Sequence, residues 1–134
     1  MIPIIILWGA ALITMLAIDA VWLGTMVGRL YTPNIGHLMA KTPNFYAAGV
    51  FYLIYTGALV YLVLYPAITN NWSTGSLILA GAIFGLATYG TFDLTNQAIM
   101  KNWPTIITIA DMVWGATLTA VVSYLSVRIL GFFQ

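Results

Sequence analysis

The chain has 134 residues, of which 62% are hydrophobic and 5% charged, with four basic side chains, three acidic ones and no cysteine. Soluble domains carry roughly 25% charged residues to keep water at their surface, so this composition excludes a water-soluble globule and points to hydrocarbon as the surrounding medium. A formal net charge of +1 offers no basic patch for nucleic acid, and the lack of cysteine excludes disulfides and thiolate chemistry.

A helix rises about 1.5 Å per residue and a bilayer core is about 30 Å thick, so a crossing takes about 20 apolar residues. Four runs are that long, at residues 4–28, 45–65, 76–100 and 105–130. They predict an all-α integral membrane fold, a four-transmembrane-helix bundle, with residues 1–134 as a single transmembrane domain. Barrel strands would be shorter and would alternate polar with apolar residues. The first run has no basic segment ahead of it and no clear small-residue cleavage site after it, so it is expected to be retained rather than removed as a signal peptide.

The connections follow from what interrupts the runs. Residues 29–44, with Pro33, Pro43, Asn34, Asn44, Gly36, His37 and Lys41, predict an interfacial loop with room for a short surface helix. Residues 66–75 predict a polar turn around Asn70-Asn71. Lys101-Asn102-Trp103-Pro104 predicts a tight turn, with Pro104 in the first turn of the last helix. Trp8, Trp72, Trp103, Tyr31, Tyr46 and Tyr65 fall near run ends and are expected to form an interfacial aromatic belt. Loops 29–44 and 101–104 share one side and hold Arg29, Lys41 and Lys101, whereas loop 66–75 holds no charge. The positive-inside rule therefore predicts that loops 29–44 and 101–104 are cytoplasmic, in a multi-pass integral membrane protein.

All three carboxyls, Asp19, Asp93 and Asp111, lie inside predicted spans. Ionisable groups at membrane depth are costly and are candidate functional residues. Counted from Arg29, Lys101 and Pro104, they lie roughly 15, 12 and 10 Å below the same interface. Three helices thus carry one carboxyl each to nearly one level. Polar and aromatic neighbours share that level. Tyr89, Asp93, Asn96 and Gln97 stand on one face of span 3. Trp22 accompanies Asp19, Trp114 accompanies Asp111, and Tyr52, Tyr55 and Thr56 reach the same depth from span 2. The candidate ligand-binding set is therefore Asp19, Trp22, Tyr52, Tyr55, Tyr89, Asp93, Asn96, Gln97, Asp111 and Trp114. Arg29, His37, Lys41 and Lys101 are expected to rim the mouth of the pocket.

The text Asp-x-Val-Trp occurs twice, at Asp19–Trp22 and Asp111–Trp114, on helices of opposite direction, as an inverted repeat would leave it. Gly24-x-x-x-Gly28 and Gly81-x-x-x-Gly85 are small-residue pairs expected to serve packing within the bundle. No metalloprotease motif, phosphate loop or nucleophile elbow is present. Three aspartates are a donor set Mg²⁺ accepts, but no acid pair stands at the spacing of lipid phosphotransferases, so no metal and no cofactor are expected. Three acids without a basic residue at their level cannot all be charged in a dry pocket, which suits the layer to proton exchange, cation binding or holding the polar group of an amphiphile.

The stretches Tyr89-Gly90-Thr91-Phe92-Asp93-Leu94-Thr95-Asn96-Gln97, Lys101-Asn102-Trp103-Pro104 and Asp111-Met112-Val113-Trp114-Gly115, with Asp19-Ala20-Val21-Trp22-Leu23-Gly24, resemble a family of small bacterial membrane proteins known as domain of unknown function 2177. The resemblance covers essentially the whole chain. It implies four spans, a bacterial inner membrane and a lipid context, singles out Asp19, Tyr89, Asp93, Asn96, Trp103, Pro104, Asp111 and Trp114, and assigns none of them a role.

Three readings of function follow. One is a protein that binds or carries a lipid-like or small polar or cationic ligand at the acidic layer. A carrier this small is expected to pair as a homodimer to build a pathway. The second is an enzyme of lipid or fatty-acid modification, with aspartate as general acid or base. The third is a structural or accessory subunit whose acids bond helices together. A cavity reaching the acids separates the first two from the third.

Overall fold

A computed structural model describes the whole chain, Met1–Gln134. Four helices are long and apolar enough to cross a membrane: α1 (Ile2–Leu38), α2 (Phe45–Thr69), α3 (Thr74–Ile99) and α4 (Thr105–Phe132). Large apolar side chains face outward along all four, Val21, Ile54, Leu79 and Val113 among them, as a hydrocarbon solvent permits. Asn44 caps α2 by accepting from the Ala47 N–H at 3.1 Å, and Ser73 caps α3 by accepting from the Ser76 N–H at 3.1 Å. Asn71 and Asn102, at φ 54° and 57°, make the two tight turns, a left-handed conformation that asparagine tolerates better than most residues.

Two helices run past the ends that their prolines predict. α1 continues beyond Gly28 through a π turn (Val27–Tyr31), a helical turn (Thr32–Ile35) and a 3₁₀ turn (Gly36–Leu38). α2 continues beyond Tyr65 through a π turn (Val60–Leu64) and a last turn (Tyr65–Thr69). In both, a proline sits second after the π turn, Pro33 and Pro66. A proline ring collides with the carbonyl four residues back. The wider turn just ahead relieves that collision, so the helix carries on instead of stopping. The expected loop at 29–44 is therefore helical through Leu38, and the turn expected from Pro66 begins only after Thr69.

α3 and α4 form the tightest pair. A Cβ on Gly85 would lie 2.0 Å from the Gly115 carbonyl oxygen, one on Gly81 would lie 2.5 Å from Ser123 Oγ, and one on Gly115 would lie 2.3 Å from the Tyr89 ring. Only glycine permits this approach, as expected for Gly81 and Gly85. Gly24 and Gly28 behave differently from that expectation: nothing lies within 4 Å of a Cβ at either, because this side of α1 faces out of the bundle. α1 packs on α4 and α2 packs on α1.

The buried stripe of α4 runs Ile107, Thr108, Asp111, Gly115, Leu118, Thr119, Val122, Ser123, Ser126 and Leu130, at helical spacing. Toward the chain termini it meets Leu7, Ala11, Met15, Leu59, Leu64 and Leu77 in a closed apolar core. Toward the other end, which carries Arg29, Lys41 and Lys101, the same stripe presents Asp111 instead. The inner part of α2 barely touches α3 there, and the helices part around a cavity.

Candidate functional site

The cavity has a volume of about 390 Å³ and draws walls from all four helices. α1 supplies Asp19, Trp22, Leu23 and Tyr31; α2 supplies Phe51 and Tyr55; α3 supplies Thr88, Tyr89 and Phe92; α4 supplies Asp111 and Trp114. It is an aromatic chamber with two carboxyls. Leu23, Phe51 and Phe92 are exposed at 41%, 44% and 56% and mark a mouth that opens sideways, toward lipid.

At its centre the two Asp-x-Val-Trp segments meet. The indoles of Trp22 and Trp114 stack with centroids 4.2 Å apart and planes 8° from parallel. Trp114 Nε1 donates to Asp19 Oδ1 at 3.1 Å, and the Tyr52 hydroxyl donates to Asp19 Oδ2. In the reciprocal direction Trp22 Nε1 donates to the Tyr31 hydroxyl at 3.1 Å, and Tyr31 in turn donates to Asp111 Oδ1. Each indole thus reaches the carboxyl of the opposite helix, one directly and one through a tyrosine. Antiparallel helices bearing the same text make this nearly symmetric arrangement.

Five lining residues fall outside the candidate set, Leu23, Tyr31, Phe51, Thr88 and Phe92; among them Tyr31, expected in the interfacial belt, is the one bonded to a carboxyl. Nine residues at about 100° each would leave it on the side of α1 opposite Trp22. The π turn accommodates one extra residue and turns it back by about 100°, onto the cavity. The signal in the sequence was Pro33, a proline that follows an unbroken helical run and so predicts either a stop or a widened turn.

Tyr55 holds the far wall. Its hydroxyl shares a hydrogen bond of 2.6 Å with Thr119 Oγ1 and accepts one of 3.2 Å from Thr88 Oγ1. Its ring meets Phe84 and Tyr89 edge-on, at 5.2 and 6.2 Å between centroids.

Of the ten candidate residues, Asp19, Trp22, Tyr55, Tyr89, Asp111 and Trp114 line the cavity, and Tyr52 supports it through Asp19. The other three do not line it. Gln97 Nε2 turns to Thr105 Oγ1 at 2.8 Å and closes the α3–α4 turn. Asn96, half-buried, lies on the same turn of α3, beyond the cavity. Asp93 is fully buried, and no N–H or hydroxyl donor reaches either carboxyl oxygen. It is held in the α3–α4 seam, where Thr108 Oγ1 approaches its backbone carbonyl at 3.4 Å, and its side chain lies beside that of Asp111. The shared-face argument placed Asp93, Asn96 and Gln97 together correctly on α3. That face turns into the α4 seam rather than into the cavity, because glycines draw the two helices together. The expected rim is absent as well: none of the four basic side chains, nor His37, lines the cavity. The carboxyls also do not converge as a group able to hold a metal ion.

Four membrane-crossing helices around an aromatic, carboxyl-bearing cavity define a small polytopic membrane protein. The chain belongs to the family described as predicted membrane protein (DUF2177), whose model matches residues 4–128. No curated protein and no solved structure matches it.

Proposed function

We propose that the protein binds an amphiphile, with the polar group at Asp19 and Asp111 and the apolar tail leaving sideways between α2 and α3. The observation that carries this reading is the cavity itself. Its volume of about 390 Å³ falls in the range of roughly 300–1,000 Å³ typical of ligand pockets. Its lining is mostly aromatic with a few polar groups, the composition of a site for a largely apolar guest. The lateral mouth beside Phe51 and Phe92 supports a guest that arrives from the bilayer rather than from water.

The bonding at Asp19 favours binding over acid–base catalysis by that residue. Both of its oxygens already accept hydrogen bonds, from Trp114 and Tyr52, so it serves as a post that fixes two walls. The positive-inside rule supports a cytoplasmic position for the end of the bundle with Arg29, Lys41 and Lys101. A chain without cysteine suits the check: Lys41→Cys should resist an impermeant maleimide in intact cells and Asn71→Cys should react, and the opposite pattern would invert the topology.

Native mass spectrometry of protein extracted in a mild neutral detergent tests the binding itself. The wild type should retain an amphiphile-sized adduct at close to one per chain. Leu23→Trp, which fills the mouth, should lose it. Identical adduct spectra for the two proteins would overturn the reading.

A further inference from the structure

We infer that the polar group this cavity takes is a protonated amine, so that the ligand is an amphiphile with an ammonium head bearing N–H donors. The inference rests on the amphiphile reading above and narrows it to one chemical class.

The hydrogen-bond inventory points there. The donors around the two carboxyls are spent within the wall: Trp22 Nε1 goes to Tyr31, Trp114 Nε1 and the Tyr52 hydroxyl go to Asp19, and the Tyr31 hydroxyl goes to Asp111, which leaves the Tyr89 hydroxyl as the one tyrosine or tryptophan donor of the cavity without a partner. One acceptor in the cavity wall is not spent: Asp111, buried and lining the cavity, uses only Oδ1. Buried polar atoms are partnered in the great majority of proteins, so the second oxygen of Asp111 asks for a donor from the guest. No basic side chain lines the cavity. An ammonium brings N–H donors together with a positive charge, into a chamber that holds two carboxyls, Asp19 and Asp111, and no base.

The walls agree with the carboxyls. Trp22, Trp114, Tyr31 and Tyr89 stand around Asp111, and aromatic faces attract cations, an attraction that strengthens where water is excluded. An anionic head would meet two carboxyls and no base. A neutral hydroxyl head would bring one donor and leave the aromatic faces without a cation.

The test is a titration of the full chain in a neutral maltoside detergent at neutral pH, followed by calorimetry. The probes are dodecylamine, dodecyltrimethylammonium, dodecanol and ethanolamine. Dodecylamine is expected to bind saturably at one per chain, at least tenfold tighter than dodecanol or dodecyltrimethylammonium. Asp111→Asn, which keeps an acceptor for Tyr31, is expected to weaken dodecylamine at least tenfold and to leave dodecanol unchanged, with the melting temperature checked alongside. Leu23→Trp is expected to weaken both. Equal binding of dodecylamine and dodecanol, both lost in Leu23→Trp, would overturn the ammonium head and leave the amphiphile reading standing. Tighter dodecyltrimethylammonium than dodecylamine would overturn the need for N–H donors. Ethanolamine binding as tightly as dodecylamine would overturn the amphiphile reading in favour of a free amine. No saturable binding of any probe would overturn both.

Discussion

Trp22 and Trp114 stack face to face across the α1–α4 interface, 4.2 Å apart at their centroids, and each indole N–H is directed toward the carboxyl of the other helix. The pair makes the back wall of the cavity and ties two helices that are far apart in sequence. What holds it are the acceptors: Asp19 for Trp114, and Tyr31 with Asp111 for Trp22.

Asp19→Ala should therefore loosen the bundle. It strips two donors, Trp114 Nε1 and the Tyr52 hydroxyl, and intramembrane hydrogen bonds contribute about 0.6–2 kcal/mol each. A loss of about 1–4 kcal/mol is expected in detergent-mediated unfolding, with Asp19→Asn milder because it keeps an acceptor. An Asp19→Ala protein as stable as the wild type would show that these bonds hold nothing.

The glycine seam gives a sharper contrast. Gly85→Ala drives a methyl group into the Gly115 carbonyl, where a Cβ would stand at 2.0 Å, and backbone on both sides leaves no flexible atom to yield. The cost should reach or exceed the roughly 1–3 kcal/mol of ordinary overpacking. Gly24→Ala meets nothing within 4 Å and should be neutral or stabilising by up to about 1 kcal/mol, since alanine is the better helix former. Melting temperatures of the two variants side by side check this, and equal destabilisation would contradict the packing described.

The four crossings were legible in the sequence because hydrophobicity and length alone determine them. The level of the acids was legible too, by counting from the basic loops, and it brought Asp19, Trp22, Asp111 and Trp114 together on paper. What could not be read was which way α3 faces. Tyr89 and Asp93 stand four residues apart on one helix face, yet Tyr89 lines the cavity and Asp93 is sealed in the seam. That division depends on how closely Gly81 and Gly85 let α4 approach, which is a property of two helices and not of one. Tyr31 escaped for a local reason: a π turn has no period of its own to read, and only Pro33 announced it.

Tyr31→Phe removes the hydroxyl that links Trp22 to Asp111. It should free the last part of α1 from the bundle, because no other side-chain hydrogen bond ties residues 27–38 to another helix. Hydrogen exchange should accelerate across residues 27–38 and stay unchanged along the α3–α4 seam. Unchanged exchange at 27–38 would show that apolar packing alone anchors this segment.

Asp93→Asn separates stability from ligand retention. No N–H or hydroxyl donor bonds to the carboxyl oxygens, and a buried ionisable group without such partners is costly in itself. The melting temperature should hold or rise slightly, while retention of the amphiphile should fall, because an amide N–H beside Asp111 would take up the oxygen left open for the guest. A variant that melts much earlier than the wild type would mean that Asp93 is a structural residue.

The most direct test is a structure determined after gentle extraction, with native lipid retained. The account predicts density for one bound amphiphile, its polar group within hydrogen-bonding distance of Asp111 and its tail passing between Phe51 and Phe92. A collapsed cavity, with ordered lipid seen only on the outer faces of the helices, would contradict it.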